Sequence, residues 1–373
     1  MSGESYDCIV VGSGIVGTAC AAKFAQDGMH VAIVDCLGAG LGATAAGMGH
    51  IVVMDDSPAQ FLLTKYSQDL WLDLAARLPN SAEFQKCGTL WVAADEEEMA
   101  EVERKHSLYA NHQVPTTILA IRELASLEPQ LKSDLSGALL VQSDAVMYAP
   151  AVAKTLMEDA VANGAHWIEG EVTSIGHGSV DFRDGRSIKS QRIVNAAGER
   201  SAELTPGLPV RKRKGHLAIT DRYPNFLHHQ VVELGYLKSA HSVSSDSVAF
   251  NVQPRITGQV LIGSSRQFDE SPEVDHAILS RMLARAVEYM PGLASCSIIR
   301  SWTGYRAATP DKLPFIGPWP EDDTIFLATG HEGLGITTSL ATAELLSAFF
   351  SGRTPVIPME PYLPAGTRLV SHA

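Results

Sequence analysis

The chain has 373 residues, 45% of them hydrophobic and 19% charged, with a mean hydropathy of +0.04. This is enough apolar material for a sizeable core and excludes a disordered chain. The net charge of −13 at pH 7 argues against a nucleic-acid partner, because phosphate binding depends on cationic neutralisation. Since the sequence shows no apolar run of about 18 residues and no basic, cleavable leader, we expect a cytoplasmic protein with no transmembrane segment.

The cysteines and the one basic run predict no site of their own. No cysteine stands in a CxxC pair, which indicates reduced thiols and encodes neither a zinc nor an iron–sulfur ligand set. We therefore expect no metal. The basic run, residues 211–214, is short and is expected to form a solvated turn rather than a polyanion site.

The first forty residues predict a complete βαβ unit. Residues 6–11 are a short, β-branched apolar run, typical of a strand in a parallel sheet. The glycine loop, residues 12–17, leads into an apolar helical pattern that ends at Gly28. Residues 30–34 predict a second strand, and Asp35 stands at its end.

Alternating helices and strands are predicted up to about residue 205. Helices are expected over 58–78, 95–107 and 150–163. Strands are expected over 170–180 and 192–198, the second ending in a tight glycine turn.

The character of the sequence changes between about 206 and 300. Residues 248–252 and 259–263 alternate in polarity and predict an antiparallel hairpin. Beyond Trp302 the α/β pattern returns, with a strand over 324–328 and a long helix that follows Gly330.

These changes predict two domains. A nucleotide-binding domain is expected to comprise residues 1–80, 145–205 and 300–373. A β-rich domain, expected to comprise residues 81–144 and 206–299, is inserted into it.

Each glycine of the loop Gly12-x-Gly14-x-x-Gly17 meets a physical demand. Gly12 permits the turn, Gly14 lets the backbone touch a pyrophosphate, and Gly17 lets the helix pack against the strand. The helix N-terminus supplies free N–H groups to the anion. Asp35 suits the ribose hydroxyls and would repel a 2′-phosphate, which disfavours NADP. A glycine turn without a ligand is the alternative interpretation.

A second cradle favours FAD over NAD. Small residues fill positions 38–49, directly after Asp35, and would let the backbone lie against something large and flat. Another glycine-rich helix start, residues 330–337, lies near the C-terminus. Two separated backbone cradles suit a long, extended cofactor.

Four segments resemble the D-amino-acid-oxidase-like flavoproteins, the family that holds glycine oxidase and sarcosine oxidase. They are the glycine loop with Asp35, residues 43–48, residues 302–317 and residues 330–337. Within that family, the stretch from residue 233 to residue 314 is most similar to the flavoprotein subunit of bacterial D-hydroxyproline dehydrogenases. The resemblance implies an α/β fold: a Rossmann-like FAD-binding domain with a glutathione-reductase-like βαβ unit, and an inserted antiparallel-sheet α+β substrate domain.

The resemblance also implies which residues hold FAD. These are Gly12, Gly14, Ile15, Val16, Gly17, Asp35, Cys36, Ala43, Thr44, Ala45, Ala46, Gly47, Met48, Val172, Ala197, Gly198, His331, Gly333, Leu334, Gly335, Ile336 and Thr337. The helix N-terminus after His331 would stabilise the negative charge of the reduced flavin. Gly304 stands where sarcosine oxidases carry flavin on a cysteine, so noncovalent FAD is expected.

Arg306 is the first candidate for substrate binding, because the arginine of this motif binds the amino-acid carboxylate in glycine oxidase. A guanidinium makes two parallel charge-assisted bonds to a carboxylate. Pairing with an internal carboxylate is the alternative. His50 falls where sarcosine oxidases keep a basic residue near the flavin, and it could tune the potential or orient substrate; a satisfied buried histidine is an equal alternative. Tyr236 and His241 are candidates for the pocket or for sheet packing.

The implied reaction is oxidation of the C–N bond of a small amino or imino acid to an imine, by hydride transfer to flavin N5. The first expectation is a cis-4-hydroxy-D-proline dehydrogenase; the alternative is a glycine, sarcosine or D-amino-acid oxidase that makes hydrogen peroxide. Leu261 replaces the oxygen-activating lysine of sarcosine oxidases, which leans towards a dehydrogenase. Such an enzyme needs an electron acceptor. The candidates are a quinone, a partner subunit of a multisubunit or oligomeric complex, and O2. A quinone acceptor would bring the enzyme to the inner membrane. An NAD-linked dehydrogenase and a non-catalytic subunit are the remaining alternatives.

Overall fold

The computed structural model describes residues 5–235 and 246–369, and two eight-stranded sheets dominate this part of the chain. The strands are β1 (Ser5–Val11), β2 (Val31–Asp35), β3 (His50–Ile51), β4 (Thr89–Ala93), β5 (Thr116–Ala120), β6 (Gly137–Val141), β7 (Ala145–Val146), β8 (His166–Glu169), β9 (Val172–Gly176), β10 (Ser179–Phe182), β11 (Ser187–Asn195), β12 (Arg211–Thr220), β13 (Gln230–Glu233), β14 (Ser247–Pro254), β15 (Val260–Arg266), β16 (Ile298–Ala308), β17 (Phe315–Trp319) and β18 (Asp322–Thr329). The helices are α1 (Ile15–Gln26), α2 (Ala43–Ala46), α3 (Pro58–Ala75), α4 (Glu96–Asn111), α5 (Ile121–Leu127), α6 (Ala149–Ala162), α7 (Ser201–Leu204), α8 (His276–Tyr289) and α9 (Gly335–Ser351).

The first sheet has the order β17-β18-β11-β1-β2-β8, and β18, β11, β1, β2 and β8 run parallel. One face carries helix α1, packed between α6 and α9. The other face is covered by the β9–β10 hairpin. Because both faces are covered, β1 is buried nearly throughout: Val10 packs on the helix side, and Ile9 and Val11 pack on the other. This arrangement brings the carboxyl ends of β1 and β2 to one edge, where ligands of such sheets bind.

The second sheet has the order β16-β12-β15-β14-β13-β4-β6-β5 and is mostly antiparallel. Helix α8 packs on β14 and β15, and Phe250 stacks on Tyr289 with ring centroids 4.8 Å apart. The opposite face of β12, β15 and β16 contributes residues to the cavity described below.

The predicted α/β fold, with a parallel Rossmann-like sheet and a separate antiparallel sheet, is confirmed. The domain bounds remain a prediction. Strand β16 pairs with β12 in the second sheet, whereas the sequence predicts that residues after 300 belong to the nucleotide-binding domain. Over the described residues, no helix combines the length and apolar character needed to cross a bilayer.

Two local expectations are wrong. Residues 170–180 do not form one strand, since the chain reverses at His177 and Gly178, whose φ values are 49° and 72°. The basic run is not a solvated turn, because it begins strand β12. Arg213 and Lys214 are buried there and pair with Glu332 at 3.2 Å and Asp269 at 2.7 Å. Carboxylates supplied by distant segments therefore allow these two cations to enter the interior.

A buried carboxyl couples stability to pH. Asp144 is fully buried between β6 and β7; its Oδ1 accepts from Gln68 Nε2 at 2.7 Å and from the Val53 N–H at 3.3 Å. Its Oδ2 has no hydrogen-bond partner among the described residues. Desolvation raises the pKa of Asp144 from 3.8 to about 7. The native state therefore holds this proton more tightly than the unfolded chain, and stability falls as pH rises from about 4 through 7.

We expect Asp144→Asn to remove most of this pH dependence, because the amide keeps the Oδ1 acceptor and cannot ionise. The wild-type protein should lose about 3 kcal/mol relative to the variant between pH 5 and pH 9, because about two pH units of this range lie below the folded-state pKa and each is worth about 1.4 kcal/mol. Urea unfolding of both proteins at each pH, followed by circular dichroism, measures the difference. Two curves that shift in parallel with pH would contradict the assignment.

Candidate active site

A cavity of about 310 Å³ is lined by residues from both sheets. The carboxyl ends of β1 and β2 form one end of it, and strands β12, β14 and β16 contribute residues to the other. The glycine loop, α2 with the residues after it, and the turn before α9 complete its lining. The segments singled out in the sequence are therefore brought together around one space.

The three glycines of the loop have different surroundings. Gly12 has a φ of +107°, and a Cβ there would lie 2.4 Å from the Ala196 carbonyl oxygen. A Cβ on Gly17 would lie 1.9 Å from the Gly12 carbonyl oxygen. These two glycines thus allow helix α1 to pack on the strands. A Cβ on Gly14 would meet only Thr44 Oγ1, at 3.2 Å, so Gly14 leaves its backbone open to the cavity.

Asp35 lines the cavity and is held by its own loop. Its Oδ2 accepts from the Ser13 N–H at 2.7 Å and from Ser13 Oγ at 3.0 Å, and its Oδ1 accepts from the Leu37 N–H at 2.8 Å. A carboxylate offers about four lone-pair sites and three are used here, so about one remains for a further donor. The held orientation suits a ribose hydroxyl.

A pair of glycines makes a flat strip on the second sheet. Gly215 of β12 lies directly opposite Gly304 of β16, and both line the cavity. A Cβ on Gly304 would lie 2.3 Å from that of Ala46. A cysteine side chain has no room there, which supports the expectation of a noncovalent cofactor.

Arg306 lies beside this strip and lines the cavity. Its guanidinium occupies the space that a Gly215 side chain would fill, since a Cβ there would lie 2.4 Å from Nη1. Nη1 also donates to the Ser265 carbonyl at 3.0 Å. Arg213 lies directly opposite Arg306 on the neighbouring strand, and it forms an ion pair with the Glu332 carboxylate at 3.2 Å. The two neighbouring arginines are thus placed differently, and Arg306 is the one at the cavity wall.

His50 lies on the cavity wall as a neutral imidazole. Burial lowers its pKa from 6.5 to about 3. Its Nε2 is shielded from solvent and has no hydrogen-bond partner within residues 5–235 and 246–369. Thr337 Oγ1 donates to the His50 carbonyl at 2.8 Å and fixes the strand. A buried ring nitrogen without a partner indicates that a bound group is needed to satisfy it.

The structure places all but four of the expected cofactor residues on the cavity wall. Gly17 packs against Gly12, and Ala45 faces a neighbouring cavity. Leu334 packs with apolar side chains of the second sheet, and the Thr337 hydroxyl bonds to β3. Those that line the cavity are Gly12, Gly14, Ile15, Val16, Asp35, Cys36, Ala43, Thr44, Ala46, Gly47, Met48, Val172, Ala197, Gly198, His331, Gly333, Gly335 and Ile336. Tyr236 and His241 lie outside the described residues.

Two wall residues were missed from the sequence. Asn251 lies opposite Gly263 in the sheet and is 7% exposed, and its Oδ1 has no partner among the residues that the structure describes. Asn251 could have been found from the sequence, because it is a polar residue in the middle of an apolar strand pattern. Glu332, with a left-handed φ of 52°, also lines the cavity. Nothing in the sequence showed that Arg213 would bind it.

The wall suits a long cofactor with both polar and flat parts. The open backbone at Gly14, at the N-terminus of α1, suits a pyrophosphate, and Asp35 suits a ribose. The glycine strip on β12 and β16 leaves room for a flat ring, with the unpartnered polar atoms of His50 and Asn251 on the same wall. These features fit FAD.

Comparison with known proteins gives a consistent result. The family described as "FAD dependent oxidoreductase" (DAO) matches residues 7–349. Glycine oxidase of Pseudomonas aeruginosa is 30% identical, over 96% of this chain and 98% of its own. Hydrogen cyanide synthase subunit HcnC of the same organism is 26% identical, over 97% and 96%. Among solved structures, glycine oxidase from Geobacillus kaustophilus matches with a TM-score of 0.87 and 25% identity, over 97% of this chain and 98% of that one.

Proposed function

Since the chain belongs to the DAO family of FAD-dependent oxidoreductases, we propose that it oxidises the C–N bond of a small amino or imino acid to an imine. FAD, when bound, supplies the electron-accepting chemistry for this reaction. The single observation that carries the proposal is the Arg306 guanidinium on the wall of the first cavity, beside the glycine strip. A fixed cation at that place suits an amino-acid carboxylate.

The cofactor would be held mainly by backbone. Gly14 and the N-terminus of α1 would face the pyrophosphate, and Asp35 the ribose. The N-terminus of α9 would lie near the edge of the ring that gains negative charge. His50 Nε2 and Asn251 Oδ1 supply buried polar atoms to the same wall.

The chain's own contribution to catalysis is mainly positioning. Arg306 would hold the substrate carboxylate in two charge-assisted hydrogen bonds and so fix the carbon next to the nitrogen. His50 stays neutral throughout the physiological range because its pKa is about 3, so it would orient substrate or cofactor as a neutral donor or acceptor. Tyr236 and His241 remain proposed pocket residues.

The first substrate that we propose is cis-4-hydroxy-D-proline, with the enzyme acting as a dehydrogenase. The resemblance described above supports this choice, and Leu261, buried at 6% exposure, supports a dehydrogenase over an oxidase. The 30% identical glycine oxidase favours glycine as the second candidate, with O2 as acceptor. A partner subunit remains a further acceptor, since one relative is named as a subunit.

Anaerobic mixing of the FAD-loaded protein with an amino-acid panel tests the proposal. The panel is cis-4-hydroxy-D-proline, D-proline, glycine, sarcosine and D-alanine. We expect cis-4-hydroxy-D-proline to bleach the flavin absorbance fastest. Fastest bleaching by glycine would replace the substrate assignment, and no bleaching by any compound would overturn the proposed function.

A further inference from the structure

A second cavity, of about 150 Å³, adjoins the first and shares Gly47 and Met48 with it. We call it the second cavity; its walls come from β12, β14, β15, β16 and the segment around Tyr148. Some of its wall residues have roles above, but no ligand has been assigned to the cavity itself. Its position, the unpartnered oxygen of Gln253 and its rim each carry information about what it binds.

The strand register places the second cavity across the glycine strip from Arg306. Side chains two residues apart on a strand share a face, and on β16 the order is Arg306, Gly304, Trp302 and Arg300. Arg306 and Gly304 line the first cavity, whereas Trp302 and Arg300 line the second. A flat ring on the strip would therefore have the substrate arginine on one side and the second cavity on the other.

The second cavity contains a buried amide without a partner for its oxygen. Gln253 is 2% exposed and lines the cavity, and its Oε1 has no hydrogen-bond partner in the described part of the chain. A buried acceptor left without a partner is unfavourable, so a ligand that satisfies it gains affinity. Leu261 and Ile219 supply apolar wall beside it. The unpartnered Oε1 calls for a hydrogen-bond donor, and the wall beside it suits an apolar body.

The rim of the second cavity carries aromatic rings stacked with arginines. Tyr148 lines the cavity and is 41% exposed, and the Arg255 guanidinium lies over its ring at 4.6 Å. Arg255 Nε also donates to the Glu83 carboxylate at 2.9 Å, and both side chains line the cavity. Arg300, another wall residue, lies over the ring of Trp302 at 5.3 Å. The rim therefore offers aromatic surface against which a flat ligand can pack.

We propose that the second cavity binds a quinone, the electron acceptor of the proposed dehydrogenase. A quinone is a flat apolar ring with two oxygens. The hydroxyl groups of its reduced form can donate to Gln253 Oε1, and the carbonyl oxygens of its oxidised form can accept from the N–H groups of the same amide. The two electrons removed from the substrate C–N bond reach the quinone by way of FAD. The quinone takes up two protons with them, leaves as hydroquinone, and FAD returns to its oxidised state.

Two variants change this cavity, and a third serves as a matched control. Gln253→Leu removes the amide, and Leu261→Phe fills part of the space. Gln230→Leu is the control, because Gln230 is also 2% exposed with an unpartnered Oε1 but lies on β13, away from both cavities. All three proteins should bind FAD as the wild type does.

Direct binding is the first test and involves no turnover. Decylubiquinone is titrated into the oxidised, FAD-loaded protein, and quenching of tryptophan fluorescence is followed, since Trp302 lines the cavity. We expect saturable quenching in the wild type and a Kd about tenfold higher in Gln253→Leu, the loss expected for one hydrogen bond. Non-saturable quenching of the wild type, or equal Kd values in Gln253→Leu and Gln230→Leu, would overturn the proposal.

Reoxidation is the second test. Although the proposal rests on the proposed function, this test does not depend on it, because the protein is reduced with stoichiometric dithionite instead of an amino acid. Anaerobic mixing with decylubiquinone should reoxidise Gln253→Leu and Leu261→Phe at least about tenfold more slowly than the wild type. Ferricenium, which needs no binding pocket, should reoxidise all four proteins equally. Equal quinone rates, or equal losses with both acceptors, would exclude the second cavity as the acceptor site.

Discussion

Replacing Arg306 with alanine should raise the KM for the amino-acid substrate by about a hundredfold or more, because two hydrogen bonds to a charged carboxylate are lost, each worth about 1.5–3 kcal/mol. FAD should remain bound, since the guanidinium lies beside the glycine strip rather than at the glycine loop. It donates to the Ser265 carbonyl and fills the space beside Gly215. Steady-state kinetics with the substrate identified by the panel, together with the flavin-to-protein ratio, measure both effects.

Two controls separate recognition of the carboxylate from a structural effect. Arg306→Lys keeps the charge but loses the two-pronged geometry, so it should recover only part of the affinity. Arg211→Ala removes an exposed arginine from the same strand as Arg213, outside the cavity, and should leave KM unchanged. An unchanged KM in Arg306→Ala would remove this residue from the substrate site. A loss of FAD in that variant would assign Arg306 to the cofactor instead.

The part of the site that sequence could predict is the part built from local backbone demands. The spacing of Gly12, Gly14 and Gly17 fixes a strand, a turn and a helix within one short segment, and the structure forms all three. The same holds for the glycine-rich start of α9. Such features depend on residues close in sequence, so a single chain reveals them.

The features that sequence reasoning missed depend on residues far apart in the chain. A solvated turn is the expectation for Arg213 from the sequence. Its burial could not be predicted, because its partner Glu332 lies 119 residues away and only the fold brings the two together. The second cavity likewise arises where β14 passes β15 and β16. Hydrophobic alternation predicts these strands, but it does not state which strands become neighbours, and the register decides which side chains share a wall.

Replacing Gly14 with valine should abolish FAD binding while the protein still folds. Gly14 has φ −63° and ψ 176°, a conformation open to any residue. A Cβ there would meet only Thr44 Oγ1 within 4 Å, at 3.2 Å, and Gly14 lines the cavity where the pyrophosphate is proposed to bind. The purified variant should therefore be colourless, with a circular dichroism spectrum and a thermal midpoint close to those of the wild-type apoprotein.

Gly17→Val is the informative comparison, because both glycines belong to the same motif and differ in what surrounds them. A Cβ on Gly17 would lie 1.9 Å from the Gly12 carbonyl oxygen, so helix α1 could no longer pack on β1. Overpacking of this kind costs at least about 1–3 kcal/mol, and here the obstacle is backbone that cannot move aside. This variant should lose soluble yield and thermal stability as well as colour. If Gly14→Val instead bound FAD normally, the cofactor would not approach the loop at Gly14, and the assignment of this end of the cavity to the pyrophosphate would be wrong.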